Sequence, residues 1–144
     1  MSLTAQFFCD FPQLNRFTKP TSPATPQYNC IAWALGIDNM WWWPHPNAYW
    51  PLACSDEVTI PAFQAVFKAF GYEPCENGRL EGGYEKIALY AKGDKPTHAA
   101  RQLTKGLWTS KCGKNVDIEH KLRELEGNLY GKVVMYFRRP RPSD

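Results

Sequence analysis

Proline decides where regular structure can form in this chain. Pro12, Pro20, Pro23 and Pro26 fall within residues 1–27, among several Ser and Thr, and each removes a backbone N–H and fixes its own φ. This stretch reads as an extended Pro-rich arm rather than regular structure, with Phe7, Phe8, Phe11 and Phe17 packing it along the body. Pro44, Pro46 and Pro51 likewise forbid a long element across Met-Trp-Trp-Trp-Pro-His-Pro-Asn-Ala-Tyr-Trp-Pro (40–51), which becomes an aromatic loop.

Regular elements are confined to what the prolines spare. Asn29 is a good N-cap and Gly36 a good stop, so Cys30 opens a short, buried helix of about two turns. Thr59 to Gly71 is a second helix: Pro61 suits the first turn, and Phe63, Val66, Phe67 and Phe70 recur at i, i+3, i+4 and i+7. Strands follow at Lys86–Ala91, Thr97–Leu103, Leu107–Cys112 and Tyr130–Arg138. The second and third are joined by a tight Thr104-Lys105-Gly106 turn. In the last strand, Val133, Met135 and Phe137 share one face and Val134 and Tyr136 the other. A helix over Val116–Leu125, with Asp117 near its start and Gly127 beyond its end, interrupts the sheet. Helices first and an antiparallel sheet second make an α+β fold, with residues 1–144 forming one domain.

Composition narrows the function classes. Of 144 residues, 44% are apolar, so a core forms without a disulfide or metal staple. A net charge of +3 is too mild to demand nucleic acid, and the one dense basic run, Arg138, Arg139 and Arg141, reads as solvated charge. No apolar run is long enough for a membrane span and no signal peptide is visible. The expectation is a cytoplasmic protein without a membrane partner, or an effector exported by another route. Cysteines at 9, 30, 54, 75 and 112 are odd in number and widely spaced, with no CxxC, and the histidines lack HxxxH or HxH spacing. Neither a disulfide framework nor a metal site is expected.

Cys30 differs from the other cysteines in its position. A thiol attacks as thiolate, and the unpaired N–H groups of a helix start favour that anion and can also hold an oxyanion. Gln27 or Asn29 could add a side-chain donor. Of His45, His98 and His120, His98 is the candidate base: it begins a strand after a Pro-terminated turn, beside the small Ala99 and Ala100, which let another element pack close. Asp117 is the favoured group to orient it, with Ser110 and Asn115 as rivals. His120, one helical turn from Asp117, could bond to it instead. Cys112 could be a redox partner on the His98 face. Trp42, Trp43 and Trp50 are candidates for a groove wall that stacks on substrate, or for a loop that covers the core.

Asn29-Cys30 opening a buried helix, a strand bearing His98, and a polar group on the next element resemble the papain-like fold in its short bacterial forms, the NlpC/P60- and CHAP-type cysteine peptidases and amidases and related deamidases. Tyr28-Asn29-Cys30-Ile31-Ala32-Trp33-Ala34, Gly83-Tyr84-Glu85-Lys86-Ile87-Ala88 and Thr97-His98-Ala99-Ala100-Arg101-Gln102 also resemble a bacterial family of unknown function. The resemblance implies a cofactor-free cysteine hydrolase acting on a peptide or protein amide, with nucleophile Cys30, base His98 and orienter Asp117. The rival expectation is a non-enzymatic domain that binds a partner through its tryptophan loop. Oligomeric state is not legible.

Overall fold

The computed structural model describes residues 2–142. It is an α+β fold built on a seven-stranded antiparallel sheet. In chain order the elements are α1 (Ala5–Asp10), β1 (Pro20–Ser22), α2 (Cys30–Ala34), α3 (Ile60–Ala69), β2 (Glu73–Cys75), β3 (Tyr84–Lys92), β4 (Lys95–Gln102), β5 (Trp108–Lys111), β6 (Asp117–His120), a 3₁₀ turn at Leu122–Leu125, and β7 (Lys132–Pro140). The strand order is β1-β6-β5-β4-β3-β7-β2, so the three-residue β1 and β2 form the edges. Such short edges leave little free backbone for unwanted pairing.

β3 runs near the middle, and its side chains alternate between two cores. Ile87 and Leu89 join Ala99 and Phe137 against α2 and α3, where Ile31, Phe63, Val66 and Phe67 are fully enclosed. Ala88 and Tyr90 join Ala100 on the other face, under Phe7 and Phe11 of the N-terminal segment and Leu125 of the 3₁₀ turn. β4 pairs with β3 from Lys95 to Arg101, but with β5 only through Arg101↔Thr109 and Gln102↔Trp108. The ladder between β4 and β5 therefore stops short at the end where Thr97 and Cys112 lie.

Three expectations are corrected. The arm is not wholly extended: Thr4 accepts from the Phe7 N–H and caps α1, and Pro20–Ser22 pairs with β6. Residues 116–125 are not one helix. Asp117–His120 pairs with β5 in the register Lys111↔Asp117 to Trp108↔His120, and only Leu122–Leu125 turns helically, because the cross-strand bonds outweigh four residues of weak helix preference. In β7 the register shifts between Leu89↔Met135 and Tyr90↔Val133. This bulge sends Val133 to the α1 face while Met135 and Phe137 face α3.

The basic run near the C-terminus is not free charge either. Arg138 pairs with Glu81, Arg139 with Glu85 at 2.5 Å and with the Phe70 carbonyl, and Arg141 with Glu85 at 3.8 Å. Among the described residues no helix is long and apolar enough to cross a membrane.

Gly131 tests the packing of the β7 entry. Its φ is +73°, and a Cβ there would lie 2.1 Å from the Ala91 carbonyl oxygen, whereas Gly83, at φ +81°, has nothing within 4 Å. Urea unfolding should show Gly131→Ala losing about 3 kcal/mol or more, and Gly83→Ala about 1 kcal/mol from left-handed strain alone.

Candidate active site

The site begins with Asn29. Its Oδ1 accepts from the Ala32 N–H at 3.2 Å, capping α2, and from the Trp42 N–H at 3.0 Å, while its Nδ2 donates to the Trp42 carbonyl at 2.7 Å. Asn29 therefore keeps one amide N–H uncommitted, and its three bonds clamp the tryptophan loop to the start of α2. Trp42 is buried, and its neighbours Trp41 and Trp43 are half-buried. Trp41 and Trp43 line, with Asn29, Cys30, Thr97, Gly113 and Tyr130, a recess of about 270 Å³. Trp50 lies elsewhere, packed on Phe63 with its Nε1 donating to the Ser55 carbonyl at 2.7 Å. Gln27 does not line the recess; its backbone N–H is taken by Thr25 Oγ1. Thr97, Gly113 and Tyr130 are the lining residues that sequence reasoning missed.

Cys30 sits at the floor of this recess and is buried. Burial pushes its thiol up to about 11, although the backbone N–H groups of Ala99, Ile31 and Cys30 and the charge of Lys111 pull the other way. The expected activation by the helix start is outweighed: α2 has only five residues, so its dipole is small, and the sulfur is dehydrated.

His98 projects from the face of β4 opposite Ala99, its neighbour in the Cys30 core. Its ring stacks on Tyr130 at 4.1 Å and 7° and meets the Tyr90 ring edge-on. The structure forms no hydrogen bond between Cys30 and His98. They are linked indirectly, because Tyr130 covers His98 and also lines the Cys30 recess.

The third group on His98 is Ser110, not Asp117. Asp117 accepts from the Tyr28 hydroxyl at 2.8 Å and lies opposite Lys111 in the β5–β6 ladder, on the face away from the His98 ring. Ser110 Oγ is 2.9 Å from His98 Nε2 and 2.6 Å from His120 Nε2, and His120 Nδ1 is 2.8 Å from the Lys121 carbonyl. That carbonyl only accepts, so His120 Nδ1 carries the proton and its Nε2 is a lone pair. Ser110 must donate to it, and His98 Nε2–H must donate to Ser110. The chain of bonds has one direction, and it leaves His98 Nδ1 as a buried lone pair without a partner. His120 is held through Ser110, not by Asp117, because 117 and 120 fall on opposite faces of a strand.

Fold and site together define an α+β protein with a cysteine recess on one side of an antiparallel sheet and a directed histidine–serine–histidine chain on the other. The chain belongs to the family described as a domain of unknown function, DUF7689, whose model matches residues 19–138. No curated protein and no solved structure matches it.

Burial depresses both histidines: His98 falls well below 6.5, helped by His120, and His120 falls to about 4. Both are neutral in the fold, while the unfolded chain takes up their protons near pH 6.5. Stability is therefore full above pH 6.5 and falls as pH drops toward 4, by up to about 2.7 kcal/mol per pH unit for the pair. Urea midpoints at pH 7, 6 and 5 should show this slope, and His98→Gln/His120→Gln should flatten it.

Proposed function

We propose that this protein is a cysteine hydrolase acting on an amide bond, on a papain-like layout. The chain order supports the layout: a cysteine on the first turn of a helix packed against an antiparallel sheet, then a strand histidine, then a polar group on the next strand. The observation that carries the reading is the state of His98. Its Nε2–H is held by Ser110 and its bare Nδ1 lies beside Tyr130, which walls the recess holding Cys30. A base needs that arrangement, one nitrogen fixed and the other a free lone pair.

In this mechanism the resting pair is neutral thiol and neutral imidazole, since burial opposes both charges. Cys30 attacks the amide carbon as His98 Nδ1 takes the sulfur's proton and passes it to the departing nitrogen. Water then attacks the thioester, with the same nitrogen taking its proton and returning one to sulfur. This transfer requires the two groups, which lie on opposite faces of the sheet, to come together past the end of the β4–β5 ladder, beyond Arg101↔Thr109. Ser110 holds the ring in its tautomer, and in place of a carboxylate it offers the polarisable link to His120. No cofactor takes part in these steps.

A second reading, a non-enzymatic binding domain, is favoured by one observation: the thiol near 11 with no bond to a histidine. On this reading the recess holds a partner without chemistry. The tryptophan loop is a poor exposed patch for it, since Trp42 is buried and Trp43 and Trp50 pack on Phe63.

Alkylation of Cys30 in the folded protein, located by peptide mapping across pH 6 to 10, separates the two. A hydrolase should show Cys30 labelling at pH 7 that falls about tenfold in both His98→Ala and Ser110→Ala, each checked for native circular dichroism. Labelling that simply follows thiol ionisation near 11 and ignores both substitutions would assign the recess to binding alone.

A further inference from the structure

Resting on the hydrolase reading, we infer that the Cys30 recess takes an uncharged primary carboxamide, the end of a glutamine or asparagine side chain, rather than a peptide bond or a charged group. The lining is Asn29, Cys30, Trp41, Trp43, Thr97, Gly113 and Tyr130, and none of these carries a formal charge. The nearest ionisable groups are engaged elsewhere. Lys111 Nζ donates to the carbonyls of Thr25 and Gly113 and lies over the Tyr28 ring, and Asp117 is bonded to the Tyr28 hydroxyl. A lysine or arginine side chain entering here would lose its water beside the Lys111 charge, and a carboxylate would find no counter-charge on the wall itself.

The polar side chains of the wall have little left to offer. Asn29 has its oxygen committed to Ala32 and Trp42 and one N–H to the Trp42 carbonyl, which leaves a single N–H, and Thr97 Oγ1 donates to the Tyr130 carbonyl at 2.5 Å. A peptide bond at the sulfur brings flanking N–H and C=O groups with it, and these would be desolvated with only that one side-chain N–H to meet them. A side-chain carboxamide brings a single planar amide at the end of an apolar stem. Two indoles and a phenol suit that shape, since a flat amide can lie against a ring face and the stem against ring edges. At about 270 Å³ the recess has room for one such side chain.

The chemistry balances as a deamidation. Cys30 sulfur bonds to the amide carbon, the C–N bond breaks, and the thiol proton leaves with nitrogen as ammonia by way of His98. Water then adds to the thioester carbon, the C–S bond breaks, and the products are a carboxylic acid and the free thiol. At neutral pH the acid ionises, and the uncharged recess that admits the amide disfavours the carboxylate, which promotes product release.

The test is protection of Cys30 from iodoacetamide by benzyloxycarbonyl-Gln-Gly or its Asn analogue, compared with benzyloxycarbonyl-Glu-Gly, together with ammonia release and a 1 Da mass gain. The amide ligands should slow labelling, with an advantage over the Glu compound of about tenfold in apparent affinity. Trp41→Ala should weaken protection, and Cys30→Ala should abolish ammonia release. Equal or better protection by the Glu compound overturns the inference. So does Cys30-dependent cleavage of the peptide bond, or labelling that no amide ligand slows; both leave the hydrolase reading standing. Ammonia release that persists in Cys30→Ala, or Cys30 labelling that ignores His98→Ala, brings down the hydrolase reading and the inference with it.

Discussion

The surroundings of Cys30 depend on one carboxamide. Asn29 starts α2 through the Ala32 N–H and holds the Trp42 backbone at both its N–H and its carbonyl. Without those three bonds the five-residue helix would lose its cap, and the proline-broken loop would have no fixed register against it. With Trp42 held in the core, Trp41 and Trp43 on either side of it line the recess, Trp43 with its ring also against Phe63.

The electrostatics of the two faces follow from dehydration. Cys30 and His98 are both buried, and in both the neutral form is favoured. A directed chain of bonds from His98 through Ser110 and His120 to the Lys121 carbonyl satisfies every polar atom but one. An unpartnered lone pair in a fully enclosed ring costs free energy, and His98 carries one at Nδ1. Tyr130 connects the two halves. The turn that carries it is closed by the Gly127–Gly131 backbone pair, its carbonyl takes the Thr97 hydroxyl, and its ring lies flat on His98.

Much of this was legible beforehand where local signals were strong. The α3 helix carries its own period and Pro61 in its first turn, and β3, β4 and β7 are apolar runs punctuated by turns, so their positions could be read directly. The segment 116–125 was misread because Asp117 and Gly127 look like helix ends, while the pairing with β5 that makes it a strand is a contact with another part of the chain. Val133 was put on the wrong face because a bulge shifts parity and has no local signature. Ser110, weighed beside Asp117 as the partner of His98, prevailed once the strand register was known.

By itself the sequence determined that the chain is α+β, that Cys30 opens a helix behind an Asn cap, that His98 lies on a strand beside Ala99 and Ala100, and that prolines leave residues 40–51 as a loop. These follow from backbone stereochemistry and side-chain period, which act over a few residues. Only the tertiary structure decided that His98 turns away from the α2 core, that Ser110 and not Asp117 holds it, that Asn29 is a clamp, and that the thiol is dehydrated rather than activated. Face, register and dehydration are properties of how strands meet and what they cover, so no local pattern can carry them.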